Sequence, residues 1–295
     1  MAAEDYTDLI FDKQGEITTI TLNRPTKHNA LTISLQKQLH EAIREVKFDL
    51  ETRVLILRGA GNTFCAGDDI PEMPSMGTLN LSADVKGRVD EPPAASPTFM
   101  IIRMFQETAA MLEDLDVVTI AGVEGVCMGG GLELTLCCDF VLTTADARWG
   151  MPEIDMGITP GWGGCTRMQR FVGRRKAKEI NLLAYEFSGD DAQDWGLANR
   201  VVENADLDDE VDALATLMLA KNRYAIRRSK FVLNKAAEGH MAQAAAFEVP
   251  VDPAAGIGPD RQGIANFADK TDGWFDIRDK SRTFWDDDRA PRPAA

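Results

Sequence analysis

Residues 125 to 139 read Gly125-Val126-Cys127-Met128-Gly129-Gly130-Gly131-Leu132-Glu133-Leu134-Thr135-Leu136-Cys137-Cys138-Asp139. Three successive glycines ahead of a helical pattern leave backbone N–H groups free to point at a ligand, and the start of a helix adds partial positive charge there. Gly130 N–H is therefore a natural donor to an anion. The helix is expected over Leu132 to Cys138, between two apolar, β-branched runs at Val117 to Val123 and Phe140 to Thr144. Further upstream, residues 16 to 22 and Val54-Leu55-Ile56-Leu57 are β-prone, and Leu35, Leu39, Ile43 and Val46 recur between them at helical spacing. The alternation of strand and helix implies an α/β core built from right-handed crossover units.

Residues 71 to 98 break that rhythm with prolines and glycines, among them Pro71, Pro74, Gly77, Pro92 and Pro93, and are read as one long loop. From about Lys176 the chain turns helical, with a long Ala-, Leu-, Lys- and Arg-rich stretch from Leu207 to Glu238. Val249 to Gly258 is expected to be irregular. The acidic run Asp286-Asp287-Asp288 and the Pro-rich end are expected to be disordered.

The 295 residues suffice to bury a core, and 44% hydrophobic with 27% charged residues is ordinary globular composition. A net charge of −15 argues against a nucleic-acid partner, because phosphates must be neutralised by a basic face. No run approaches the roughly 18 apolar residues that span a bilayer. The start, Met1-Ala2-Ala3-Glu4-Asp5, has neither the basic residues nor the apolar stretch of a secretory signal, so a cytoplasmic protein with no membrane contact is expected. Five cysteines (Cys65, Cys127, Cys137, Cys138, Cys165) show no zinc or disulfide spacing and are read as buried free thiols. His28, His40 and His240 have no Glu or Cys at ligand spacing, so no metal site is expected.

Two further segments carry chemistry. Asn62-Thr63-Phe64-Cys65-Ala66-Gly67-Asp68-Asp69-Ile70 follows a buried strand with a flexible turn. Two N–H donors from two such turns can make an oxyanion hole, which stabilises the enolate of a thioester. The other segment, Trp149 to Gly164, places Glu153 in a turn-rich loop, 20 residues after Glu133. Asp155, two residues beyond, is read as a surface residue.

Together the Ala66-Gly67-Asp68-Asp69-Ile70 turn, the Gly129-Gly130-Gly131-Leu132-Glu133 turn and the loop from Pro152-Glu153 to Gly157 resemble the hallmarks of the crotonase (enoyl-CoA hydratase/isomerase) family. The resemblance also takes in Asn23-Arg24-Pro25, Asn29-Ala30-Leu31, Gly161 to Arg167 and Asp194 to Ala198, and spans roughly residues 8 to 240. It implies an α/β, ClpP/crotonase-like spiral of ββα repeats over residues 1–200, a helical C-terminal trimerisation region over 201–285, and a disordered tail over 286–295. The oxyanion-hole amides fall on Asp68 and Gly130, and the paired catalytic carboxyls on Glu133 and Glu153. Coenzyme A is expected near Lys27, Ala30 and Ala66, with Phe267 and Lys270 reaching a neighbouring subunit's ligand. The implied activity is hydration of a 2-enoyl-CoA, without cofactor, by a homotrimer or a hexamer formed as a dimer of trimers. The rival activities are an enoyl-CoA isomerase, a C–C hydrolase or lyase on a bulky or cyclic acyl-CoA, and a non-catalytic acyl-CoA-binding oligomer.

Overall fold

The computed structural model describes residues 6–72, 97–237, 239–248, 268–269 and 272–284. Its main sheet has six strands in the order β1 (Leu9–Gln14), β2 (Ile17–Leu22), β3 (Val54–Gly59), β4 (Val118–Val123), β6 (Phe140–Thr144) and β8 (Arg200–Val202). β1 and β2 form an antiparallel hairpin turned at Gly15, where φ is 63°, and every later neighbour pairs in parallel. A second, small sheet pairs β5 (Val126–Met128) with β7 (Arg148–Gly150). Single bridges Leu31–Asp68, Cys65–Cys127 and Trp149–Phe187 extend this second layer. Each circuit of the chain thus lays one strand in the large sheet and a short extended segment in the small layer. β4 and β5 then lead into α3 (Gly130–Thr135), and β6 and β7 lead to α4 (Gly164–Leu183). This is the expected ββα spiral.

Val54 to Leu57 and all of β4 are buried, which is why parallel strands covered on both faces read as continuous apolar runs. α1 (Ile33–Phe48) is capped by Thr32, whose hydroxyl accepts from Leu35 N–H at 3.0 Å, and buries Leu35, Leu39, Ala42, Ile43 and Val46. On another side of the sheet α6 (Leu207–Leu219) packs Val211 and Leu214 over Val54, Ile56, Ile120 and Leu142. α2 (Pro97–Glu113), α5 (Gly189–Asp194), α7 (Arg223–Ala236), α8 (Met241–Glu248) and α9 (Asp272–Thr283) complete the described elements.

Several boundaries differ from expectation. α3 starts at Gly130 and stops at Thr135, and the chain turns at Leu136 to Cys138 so that Asp139 N–H reaches Thr119 O at 3.0 Å. α4 begins at Gly164, well before Lys176, and is bent at Gly173, which holds φ 74° and ψ 162°. The long stretch from Leu207 is two helices, parted where the Asn222 side chain caps α7 by accepting from the Tyr224 and Ala225 N–H groups. Pro97 and Thr98 belong to α2 rather than to a loop. The remainder of that loop from residue 73 to 96, the segment 249–258 and the tail 286–295 lie outside the described residues. Four of the five cysteines are buried, but Cys165, in the first turn of α4, is exposed. No helix among the described residues is long and apolar enough to cross a membrane.

Candidate active site

The site forms where three turns from successive circuits of the spiral meet. The first follows β3. Ala66 N–H donates to His28 O at 2.9 Å, Leu31 N–H to Gly67 O at 2.8 Å, and Asp69 N–H to Leu31 O at 3.1 Å, which laces this turn to the loop from Arg24 to Leu31. Asn29, wholly buried and left-handed at φ 54°, braces that loop. Its carbonyl accepts from Arg24 N–H, and its amide donates to Ala60 O and Thr63 O. Arg24 in turn pairs with Asp69 at 2.9 Å. Lys27, exposed, and Ala30, half-buried, lie on that loop, and Ala66, half-buried, lies on the turn.

The second turn is the triple glycine. A Cβ built on Gly67, where φ is 86°, would meet Met128 O at 2.9 Å and Gly130 N at 3.3 Å, so the two turns touch backbone to backbone. Only glycine allows that approach. It sets the backbone of Gly67, which precedes Asp68, against that of Gly130. Gly130 is the first residue of α3, where an N–H has no intrahelical acceptor.

The third turn carries Glu153, on a short 3-10 segment from Pro152 to Met156, and continues to the Trp162-Gly163-Gly164 corner that opens α4. Glu153 is 7% exposed and Glu133, on α3, is 2% exposed. A Cβ on Gly129 would lie 2.7 Å from Glu153 Oε1, which sets that carboxyl directly over the glycine turn. Glu133 Oε1 accepts two backbone hydrogen bonds, from Trp162 N–H at 2.9 Å and Gly164 N–H at 2.6 Å. Glu153 Oε2 is buried with no partner.

Burial pushes Glu133 up to about 8; the Gly164 and Trp162 amides oppose the rise, and the charges of Glu153 and Asp68 add to it. Burial likewise lifts Glu153 to about 7, against its own backbone N–H and with the help of Asp68. Asp68 rises to about 6 by burial, tempered by the Trp162 indole N–H, which closes no hydrogen bond of normal geometry. The Asp68 carboxylate oxygen Oδ1 accepts from Gln36 Nε2 at 2.9 Å, so a buried residue of α1 holds it. Both glutamates therefore hold their protons to a higher pH than an ordinary glutamate does, and each can exchange one near neutral pH.

The structure therefore brings together Asp68, Gly130, Glu133 and Glu153, with Ala66 on the same turn as Asp68, and Lys27 and Ala30 on the loop to which that turn is laced. Phe267 and Lys270 lie outside the described residues. Asp155 is exposed, as expected. Three contributors were not singled out from sequence: Trp162, Gly164 and Gln36. Trp162, stacked on Phe105 with centroids 5.0 Å apart, and Gly164 act through backbone amides, and their signal was the Gly161-Trp162-Gly163-Gly164 run just before a helical pattern. Gln36 sits on a helix face among apolar residues and left no signal. No cluster of three or more His, Cys, Asp or Glu suited to a metal occurs among the described residues.

A family model described as enoyl-CoA hydratase/isomerase matches residues 12–277. The chain is 34% identical to the short-chain-enoyl-CoA hydratase of Clostridium acetobutylicum, over 83% of this chain and 87% of that protein. It is 33% identical to the crotonyl-CoA hydratase of Syntrophomonas wolfei, over 82% and 87% respectively. The crystal structure of a candidate enoyl-CoA hydratase from Thermobifida fusca in complex with CoA superposes with a TM-score of 0.73 at 30% identity, covering 91% of this chain and 98% of that one.

Proposed function

The chain belongs to the enoyl-CoA hydratase/isomerase family, the crotonase superfamily, and from that premise we propose that it adds water across the 2,3-double bond of an enoyl-CoA. The thioester oxygen accepts hydrogen bonds from the N–H groups of Asp68 and Gly130. Negative charge developing there in the enolate is met by donors already aimed at it, with no reorganisation at the moment of reaction. Of the Glu133 and Glu153 pair, the ionised carboxylate takes a proton from water as its oxygen bonds to C3, and the protonated carboxyl gives its proton to C2. One proton is taken up and one released, so the pair ends with the charge it began with.

The observation that carries this reading is the meeting of two buried carboxyls, one bound by two amides and the other with a bare oxygen, over the glycine turn. Lys27, Ala30 and Ala66 lie on the loop and turn that would receive the coenzyme A portion, and the exposed Lys27 would meet its phosphates. The reaction needs no cofactor, because donor, acid and base are all supplied by the chain. The same reading assigns residues 1–200 to the catalytic spiral and the helical region 201–285 to assembly as a homotrimer or a dimer of trimers.

The test is turnover. Loss of the 2,3-double-bond absorbance of crotonyl-CoA, with 3-hydroxybutyryl-CoA as product, supports the proposal, and a panel of branched and cyclic enoyl-CoAs sets the acyl range. Double-bond migration or ring opening without hydration of any member of the panel would reject it.

A further inference from the structure

The corner that holds Glu133 is itself held. Arg167, in the first turns of α4, donates from Nη1 to Trp162 O at 2.8 Å. Its Nε and Nη2 meet Glu113 Oε2 on α2 at 2.9 and 2.8 Å. Its side chain is 14% exposed, so these contacts are made largely out of water. Gly163 between them is left-handed at φ 109°, and a Cβ there would collide with the Arg167 guanidinium. The glycine therefore lets the guanidinium lie flat against the corner. The two amides on either side of Gly163, those of Trp162 and Gly164, are the ones that both donate to Glu133 Oε1.

We propose that Arg167, anchored by Glu113, is a positioning residue whose clamp on the Trp162 carbonyl fixes the amide pair that binds Glu133. The Trp162 carbonyl belongs to the planar 162–163 peptide unit, whose two neighbours carry the Trp162 and Gly164 N–H groups and are joined to it only through the φ/ψ rotations at Trp162 and Gly163, so fixing the central unit restricts where both amides point. If the Trp162 carbonyl is released, the amides lose their aim at the carboxylate. Two charge-assisted hydrogen bonds depend on that aim, and each favours the ionised form of Glu133. The other charged or titratable groups that act on Glu133 are Glu153 on the 3-10 segment, Asp68 on the turn after β3, and Cys165 on α4. Cys137 in the turn after α3 and Arg167 itself complete the set among the described residues, with Glu113 behind them on α2. None of these donates a hydrogen bond to the carboxylate, so the amide pair has no substitute.

The proposal rests on Glu133 belonging to the acid–base pair, and its test separates the two ideas. Arg167→Met, Arg167→Lys, Glu113→Gln and the wild type are compared by kcat/KM against pH, and by thermal melting for folding. Weakened amide bonds raise the pH at which Glu133 ionises, so Arg167→Met is expected to move the profile upward by about one pH unit, a tenfold change in ionisation equilibrium. Its maximal rate is expected to fall by about 10- to 100-fold through misplacement of the carboxyl. Arg167→Lys keeps one donor for the Trp162 carbonyl and recovers part of both effects, and Glu113→Gln falls between. A merely structural role would lower melting temperature and rate alike at every pH with the profile unmoved, and that result overturns the proposal. The Glu133 carboxyl stretch, isolated in infrared difference spectra against Glu133→Gln, titrates without turnover. Should the wild type hydrate no enoyl-CoA, the functional reading fails, while the same upward shift in Arg167→Met would sustain the clamp and an unmoved titration would reject it.

Discussion

Glu133→Gln is expected to stabilise the protein at alkaline pH while removing its activity. An ordinary glutamate titrates near 4.5, and Glu133 is pushed up to about 8 by burial. The folded state thus holds this proton more tightly than the unfolded chain does. The associated stability is fully present below about 4.5 and is lost progressively as pH rises towards about 8, because the unfolded chain ionises there and the folded one does not. A gap of about 3.5 units at about 1.36 kcal/mol each comes to on the order of 5 kcal/mol by pH 9. Gln has no charge to lose, and its amide oxygen can still accept from the Trp162 and Gly164 N–H groups. At roughly 2 °C per kcal/mol for a chain of this size, the variant should melt up to about 10 °C above wild type at pH 9, with the difference shrinking towards zero near pH 5. Circular-dichroism melts across that range measure it, with protein concentration fixed because an oligomer's melting point depends on it. A difference that stays constant between pH 5 and pH 9 would refute the reasoning, since it would mean that Glu133 titrates alike in the folded and unfolded states.

Glu153→Gln keeps the shape of the second carboxyl and removes its proton traffic, so kcat for crotonyl-CoA is expected to fall by at least about 10²-fold with KM little changed; near-wild-type turnover would take Glu153 out of the mechanism. Gly130→Pro deletes a single N–H at the first position of α3, where proline suits the helix. Its rate should drop by about 10²- to 10³-fold, as for loss of one oxyanion donor, with near-native circular dichroism. A folded variant that retains its rate would show that this amide does not meet the thioester oxygen.

Much of this architecture was legible before the structure. β3 and β4 announce themselves because burial on both faces demands unbroken apolar runs, and α1 because one face carries Leu35, Leu39, Ile43 and Val46. The glycine turns and both glutamates were legible for a different reason, since close backbone approach and paired acid–base chemistry each tolerate few residue types. What escaped was whatever depends on partners distant in sequence. β8 is three residues long and exists because β6 offers it an edge, and α4 begins at Gly164 because the corner before it is fixed by Arg167. The amides that hold Glu133 left only the Gly161-Trp162-Gly163-Gly164 run as a signature. Trp162 reads as a core aromatic, which it also is, stacked against Phe105.

The arrangement also explains how three acids can share one site. Asp68, Glu133 and Glu153 repel one another when ionised, and burial penalises each charge further, so full ionisation near neutral pH would be severely unfavourable. The fold does not relieve this with a buried lysine or a metal among the described residues. It uses polar groups with fixed partial charges: Gln36 for Asp68, and the Trp162 and Gly164 amides for Glu133, while Glu153 Oε2 is left bare. Neutral donors moderate a carboxylate without fully stabilising its charge, and so the pair remains poised with a proton to exchange. A cationic partner would pull the pair towards permanent ionisation and end that exchange. The spiral makes this possible because the turns after β3, β5 and β7 meet, which places the Trp162 and Gly164 amides against Glu133 and Glu153 over the glycine turn. The donors to Glu133 are main-chain groups, whose directions are set by the backbone rather than by side-chain rotamers.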